Sequence, residues 1–100
     1  MAKANYILSK KAQDDLVDIW DYTVETWSEE QAIIYYRQIY TTIQGLNSLP
    51  VFLEKRSDVI NPGLFGFKVG HHIVFYKKHQ DGSIWVDRIL HEKMDYQRHL

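Results

Sequence analysis

The chain has 100 residues, of which 14% are aromatic, with no cysteine and a formal net charge of −1. This length predicts one small domain over residues 1–100, and the lack of cysteine excludes disulfides, thiolate nucleophiles and cysteine-ligated zinc. The sequence has no long apolar run and no secretory signal at its N-terminus, so we expect a cytoplasmic protein without membrane association.

The small net charge conceals a difference between the two halves of the chain. Residues 1–50 contain four Lys and Arg against seven Asp and Glu, whereas residues 51–100 contain eight against six, together with all five histidines. The second half is therefore expected to meet an anionic or acidic partner, with an ordinary solvated surface as the alternative. The excess is too small for a protein that coats nucleic-acid phosphates on charge alone.

The first predicted elements are a short strand and an amphipathic helix. Tyr6-Ile7-Leu8 is an apolar strand candidate, and Ser9 is a plausible N-cap for a helix over residues 10–26. Apolar side chains recur there every three or four residues. The acidic residues occupy much of the other surface, which we interpret as mostly a solvated face: Asp14, Asp15, Asp18 and Asp21.

A second helix is predicted after a short connection. Ser28-Glu29-Glu30-Gln31 has the spacing of a capping box. The helical period continues to about Leu49, where Pro50 ends it because proline lacks an amide donor. The two helices should form a hairpin. Its large aromatic side chains are expected to pack inside rather than form a binding surface: Trp20, Trp27, Tyr35, Tyr36 and Tyr40.

The rest of the chain reads as sheet. Residues 51–58 are predicted to be a loop and Asn61-Pro62-Gly63 a turn before a strand over residues 64–69. A strand over residues 72–78, a turn at Gln80-Asp81-Gly82 and a strand over residues 83–91 follow. The order β-α-α-β-β-β predicts an α+β fold, in which an acidic helical hairpin lies on a three-stranded antiparallel sheet.

The segment from Arg88 to Asp95 places polar groups just beyond an apolar strand, as at a functional site. Strand alternation puts Arg88 on one face with Ile84, Val86 and Leu90, and His91 on the other, so Arg88 and His91 should point apart. Likewise His72, Val74 and Tyr76 should share one face.

Each of these polar groups has a structural alternative. Arg88 either forms an ion pair, with Asp95 or near Asp87, or contacts a partner directly. His72 and His91 either donate to a carbonyl or to Asp95, or act as acid and base near neutral pH. Because adjacent histidines on a strand face opposite sides, we expect no metal site from His71, His72, His91 and Asp95, and no cofactor.

A family resemblance follows from motifs spread over nearly the whole chain. The sequence resembles the ParE toxins of the RelE/ParE toxin–antitoxin superfamily, and the last two motifs are the most specific. The matching pieces are Tyr6-x-Leu8-Ser9-x-x-Ala12, Asp15-Leu16-x-x-Ile19-Trp20-x-Tyr22-Thr23, Trp27, Gln31-Ala32, Leu46-x-x-Leu49-Pro50, Val69-Gly70-x-His72-x-x-Phe75-Tyr76, Arg88-Ile89-Leu90-His91-x-x-Met94-Asp95 and His99-Leu100.

The resemblance implies a RelE-like fold and a non-enzymatic toxin that inhibits DNA gyrase and is neutralised in a hetero-oligomer with a cognate ParD-like antitoxin. From charge and family likeness, the gyrase-binding residues are expected to be Arg88, His91, Lys93 and Arg98. The antitoxin is expected on the helical hairpin and on the strand edge that carries Phe65, Phe67 and Val69. Structural or site-supporting roles are expected for His72, Tyr76 and Asp95.

Two alternatives stay open at the level of sequence. One is a ribosome-dependent mRNA endonuclease of RelE type, for which His91 or Arg88 would be indispensable. The other is an inactive module that only binds an antitoxin. It is motivated by a departure from the family pattern, because Phe65 and His71 stand where the family often has arginine.

Overall fold

Two helices pack on one face of a single mixed sheet. The computed structural model of the chain describes residues 6–48, 55–56 and 63–94. The elements are β1 Tyr6–Leu8, α1 Lys10–Thr26, α2 Glu29–Gly45, a 3-10 turn Leu46–Ser48, β2 Lys55–Arg56, β3 Phe65–Val69, β4 His72–Lys78 and β5 Ile84–His91. No helix among these residues is both long and apolar enough to cross a bilayer. The predicted α+β class and element order are confirmed.

The sheet has five strands in the order β1-β5-β4-β3-β2. The predicted antiparallel core of β3, β4 and β5 is present, and β1 adds to β5 in parallel, which makes the sheet mixed. Residues 51–58 were predicted to be only a loop, and that prediction is wrong for Lys55–Arg56, which pair with β3. A strand of two residues is too short to produce an alternating pattern.

Both helices begin where their capping residues predict. The Ser9 side chain accepts the Ala12 amide at the start of α1, and the Ser28 side chain accepts the Gln31 amide at the start of α2. These bonds satisfy amides that have no partner within the helix. The helix predicted to reach about Leu49 ends at Gly45, and a 3-10 turn continues it to Ser48. Leu49 and Pro50 lie outside the described residues.

The main core lies between the helices and the inner face of the sheet. Tyr76 is completely buried at its centre and stacks on Phe65 at 5.7 Å. Trp20 and Tyr36 meet edge to face at 5.4 Å, as expected for packing within the hairpin. Trp27 was expected to pack there too, but it is 73% exposed, because it caps the C-terminus of α1 at the hairpin tip.

A bulge in β5 changes which residues share a face. Tyr76 pairs with Val86 and Phe75 pairs with Arg88, so Asp87 is an extra residue between them. Ile89 joins the main core, whereas Leu90 packs with Phe75 and Leu64 in a second, smaller cluster. The prediction that Leu90 shares a face with Ile84 and Val86 is therefore wrong, because a bulge shifts the alternation by one residue.

Candidate functional site

Arg88 is anchored by a carboxylate from the other end of the chain. Its Nε and Nη2 atoms donate to the two carboxylate oxygens of Asp15 at 2.9 and 2.8 Å. The two side chains are only 17% and 11% exposed. The hydrogen bonds to Asp15 raise the pKa of Arg88 above its ordinary value. Arg88 thus forms the ion pair that was one of its two predicted roles, with a partner that was not predicted.

Asp15 was placed on the solvated face of α1, and this prediction is wrong. The helical spacing of α1 indicates that Asp15 faces inward, because it lies between Ala12, Leu16 and Ile19, which are all buried. It also accepts the Ile89 amide at 2.9 Å. Pairing between β1 and β5 ends at Val86, and beyond this point a side chain from α1 accepts a backbone amide of β5. Ser9 contributes in the same way, since its hydroxyl donates to the Asp87 carbonyl at 2.7 Å.

The tight turn between β3 and β4 is held by Tyr35 of α2. Gly70 occupies this turn with φ +57°, a conformation that side chains disfavour. A Cβ atom at Gly70 would lie 2.7 Å from the Tyr35 hydroxyl oxygen, so the turn and the tyrosine ring fit only with glycine. The hydroxyl accepts the His71 amide at 3.0 Å and lies 3.2 Å from the Val69 carbonyl oxygen. Burial raises the pKa of Tyr35.

The same hydroxyl contacts the ring of His72. Its oxygen is 2.6 Å from His72 Nδ1. According to the tautomer of His72, the hydroxyl donates to an unprotonated Nδ1, or it accepts an Nδ1–H while it donates to the Val69 carbonyl. Burial lowers the pKa of His72 to about 4, with a further contribution from the neighbouring His91. His72 is therefore neutral near pH 7, and the described hydrogen bond of its ring is to a tyrosine hydroxyl, whereas a backbone carbonyl or Asp95 was expected.

Glu92 joins the ends of three strands. Its carboxylate accepts from His71 Nδ1 at 2.9 Å and pairs with Lys68 Nζ at 3.0 Å. The His71 hydrogen bond, followed by the Lys68 contact, lowers the pKa of Glu92 to about 2. Its backbone amide also donates to the His71 carbonyl at 2.8 Å. Lys68 and His71 are well exposed, so this end of the sheet presents an ammonium group and an imidazole around one carboxylate.

His91 lies at the centre of this end of the sheet. Its ring is 5.3 Å from that of His72 and 6.4 Å from that of His71, and its Nδ1 accepts the Lys93 amide at 3.1 Å. The structure therefore brings His91, His72 and exposed Lys93 together, while Arg88 is turned toward Asp15. Asp95 and Arg98 lie outside the described residues. Within the described part of the chain, no group of three His, Asp or Glu side chains can hold a metal ion.

The apolar residues predicted for antitoxin binding are mostly covered. Phe65 and Phe67 are half-buried against the main core, and Val69 is 9% exposed. The expectation that this strand forms the sheet edge is wrong for Phe65 and Gly66, because β2 pairs with both. Of these residues, Val69 borders an open groove of about 650 Å³.

That groove runs between α2 and the turn that Tyr35 holds. One wall is a stripe of α2 side chains at helical spacing, and the other is the turn itself. The lining includes Ile34, Arg37, Gln38, Thr41, Val69 and Gly70. Ile34 is 49% exposed although it is a large apolar side chain.

Comparisons with known proteins agree with one another. Residues 6–96 match the family model described as the ParE toxin of the type II toxin–antitoxin system parDE. Toxin ParE1 of Mycobacterium tuberculosis H37Rv is 36% identical over 97% of this chain and 98% of its own length. Toxin ParE1 of Caulobacter vibrioides is 33% identical over 95% and 96%.

A solved structure shares the fold. A chain of the chromosomal ParDE system from P. aeruginosa superposes with a TM-score of 0.72, covering 87% of this chain and 94% of its own length at 19% identity. At that identity the likeness concerns the fold alone. The family match covers most of the sequence, and the two curated relatives match nearly end to end. This chain therefore belongs to the ParE toxin family of type II toxin–antitoxin systems.

Proposed function

We propose that the chain is a non-enzymatic cytoplasmic toxin that inhibits DNA gyrase and is neutralised by a ParD-like antitoxin. The observation that carries this proposal is the family match over residues 6–96, together with near full-length similarity to two proteins named Toxin ParE1. The antitoxin partner is further supported by the fold shared with a chain of a ParDE system.

The gyrase-facing surface is placed at the end of the sheet around His91 and Lys93. Lys93 is exposed, and the exposed ammonium group of Lys68 lies at the same end of the sheet, where it pairs with Glu92. Arg88 contributes to this surface only indirectly. Its guanidinium is hydrogen-bonded to Asp15 and so fixes β5 against α1. If Lys93→Ala and Arg98→Ala together leave the fold intact and toxicity unchanged, this placement is wrong.

Two features favour inhibition by binding over RNA cleavage. RNA cleavage needs a general base, a general acid and cations near the scissile phosphate. Arg88 is held in an ion pair with Asp15, and His72 is half-buried and hydrogen-bonded to Tyr35. Two of the three groups nominated for cleavage, Arg88 and His72, thus serve the fold, which favours binding as the use of this surface.

The antitoxin-binding surface is placed on the α2 side of the helical hairpin and along β3. The half-buried Phe65 and Phe67 and the groove beside Val69 are its apolar part. Phe65→Asp should weaken antitoxin affinity, measured by calorimetry with a Tyr22→Asp control on the exposed face of α1. Equal affinities for wild type and Phe65→Asp would move the antitoxin away from β3.

Controlled expression in a bacterium tests the whole proposal. The chain alone should arrest growth and relax a reporter plasmid, and co-expression of the ParD-like antitoxin should restore both. Transcripts mapped at their 5′ ends should show no new cleavage sites. Cut transcripts with normally supercoiled plasmid would support the mRNA endonuclease instead. Antitoxin binding without growth arrest would support the inactive module.

A further inference from the structure

We propose that the groove between α2 and the Gly70 turn binds a carboxylate-bearing segment of the ParD-like antitoxin, with Arg37 as its anchor. This inference rests on the proposed function, since it names a specific contact for the partner already inferred. No sequence motif joins the two walls of this groove, because only the packing of α2 over the β3–β4 turn brings them together.

The first argument is the state of the Arg37 side chain. It is exposed and lines the groove, and no ion pair or hydrogen bond joins its guanidinium to another residue that the structure describes. Several other basic side chains are engaged: Lys10 with Asp14, Lys68 with Glu92, Lys77 with Asp87, and Arg88 with Asp15. Arg37 therefore has its planar set of five donors available for a carboxylate from another chain.

The second argument is charge complementarity. Among the residues that the structure describes, the groove lining contains no Asp or Glu, so no described carboxylate in the lining competes for Arg37. The exposed side of α1 carries Asp14, Asp18, Asp21 and Glu25, which repel an acidic segment. A partner segment with a carboxylate is thus directed away from α1 and toward the groove on α2.

The third argument is shape and rigidity. The groove volume of about 650 Å³ lies within the range of roughly 300–1,000 Å³ typical of binding pockets. Exposed Ile34 and the edge of Val69 provide an apolar floor beside the cation. The Tyr35 hydroxyl fixes the opposite wall through the His71 amide. A preformed groove loses little entropy on binding, so an apolar side chain next to a carboxylate should fit it well.

The test measures antitoxin affinity by calorimetry with the full-length toxin chain and purified full-length ParD-like antitoxin. Arg37→Glu should weaken binding at least tenfold, and Arg37→Gln should weaken it less, because only the first introduces repulsion. Lys11→Glu is the matched control, since Lys11 is exposed on α1 and lies outside the groove. It should change affinity by no more than twofold. Urea unfolding of each variant verifies the fold.

A charge exchange identifies the partner group. Acidic residues of the antitoxin are replaced one at a time by lysine, and one of these variants should recover most of its affinity for Arg37→Glu while losing affinity for the wild type. Tight wild-type binding that Arg37→Glu leaves within twofold would overturn this inference alone. Lost gyrase inhibition with unchanged antitoxin affinity would assign the groove to gyrase and overturn it too. Absence of any wild-type binding would overturn the proposed antitoxin partnership itself.

Discussion

Asp15 accepts three hydrogen bonds from β5, two from the Arg88 guanidinium and one from the Ile89 amide. Replacing it with alanine leaves a largely buried cation and a strand amide without their acceptor. We expect Asp15→Ala to lower the free energy of unfolding by about 2 to 4 kcal/mol. Urea denaturation measures this change.

Asp18→Ala is the control for Asp15→Ala, because Asp18 lies one turn further along α1 and is exposed. It should alter the free energy of unfolding by less than about 0.5 kcal/mol. Similar losses for the two variants would mean that the Asp15 contact contributes nothing beyond an ordinary surface acid.

Gly70 combines a positive φ with close contact to Tyr35, whereas Gly82 has a positive φ of 85° and open space around its missing Cβ. Backbone strain in Gly82→Ala should cost roughly 1 to 2 kcal/mol. Gly70→Ala should cost about 1 to 3 kcal/mol more, because the tyrosine must move as well. Thermal or urea unfolding of both variants measures the difference. Equal losses would show that the Tyr35 ring adapts freely.

His72 makes stability depend on pH in a defined window. Its pKa is about 4 in the folded chain against an ordinary value of 6.5, so the unfolded chain binds more protons between these values. Its contribution to stability is complete above pH 6.5 and is lost as the pH falls toward 4. The lowered pKa of Glu92 acts separately, between its ordinary value of 4.5 and about 2.

His72→Gln removes the upper window and leaves the lower one. The free energy of unfolding, measured by urea at pH 7.5, 5.5 and 4.5, should therefore fall less steeply for His72→Gln than for the wild type. Parallel curves over this range would mean that His72 is not held neutral by its surroundings.

Some contacts between single residues cannot be predicted from the sequence. The Asp15–Arg88 contact joins residues 73 positions apart, and no local pattern in the sequence pairs them. Only the position of Asp15 within a buried stripe points to it. The predicted face of His72, Val74 and Tyr76 is correct because β4 alternates regularly over these residues. The predicted face of Leu90 is wrong because the bulge at Asp87 leaves no signal in composition.

Among the secondary-structure elements, the two serine N-caps differ in the hydrogen bonds that they make beyond the cap itself. The Ser28 side chain accepts the Gln31 amide at an exposed site, whereas the Ser9 side chain accepts the Ala12 amide and also donates to the Asp87 carbonyl. Ser28→Ala should cost about 0.5 to 1 kcal/mol, as for an isolated cap. Ser9→Ala should cost about 1 kcal/mol more, because a strand carbonyl loses its donor. Urea unfolding compares them, and a larger loss for Ser28→Ala would contradict this account.

The elements themselves follow closely from the sequence. Helical period, serine caps and Pro50 predict α1 and α2, and Gly82 predicts the turn between β4 and β5, where the His79 amide donates to the Ser83 carbonyl at 3.0 Å. The short strand β2 could not be predicted, because it exists only through pairing with Phe65 and Gly66. Parallel addition of β1 to β5 likewise depends on contact across the whole chain.

Across the whole molecule, the described charges are distributed unevenly. The exposed side of α1 is acidic, whereas Lys68 and Lys93 lie with Glu92 at one end of the sheet. The position of the groove beside Arg37 could not be predicted, since its walls come from distant segments. Under the proposed function, this end of the sheet and the groove are separate surfaces for the target and for the antitoxin.

The most direct measurement is a supercoiling assay with purified chain, gyrase, relaxed plasmid and ATP. Supercoiling should be lost as the chain is added and should return when ParD-like antitoxin is present in equimolar amount. Accumulation of linear DNA would specify that gyrase is trapped on cleaved DNA rather than blocked. Full supercoiling at a large excess of folded chain over gyrase would contradict the account.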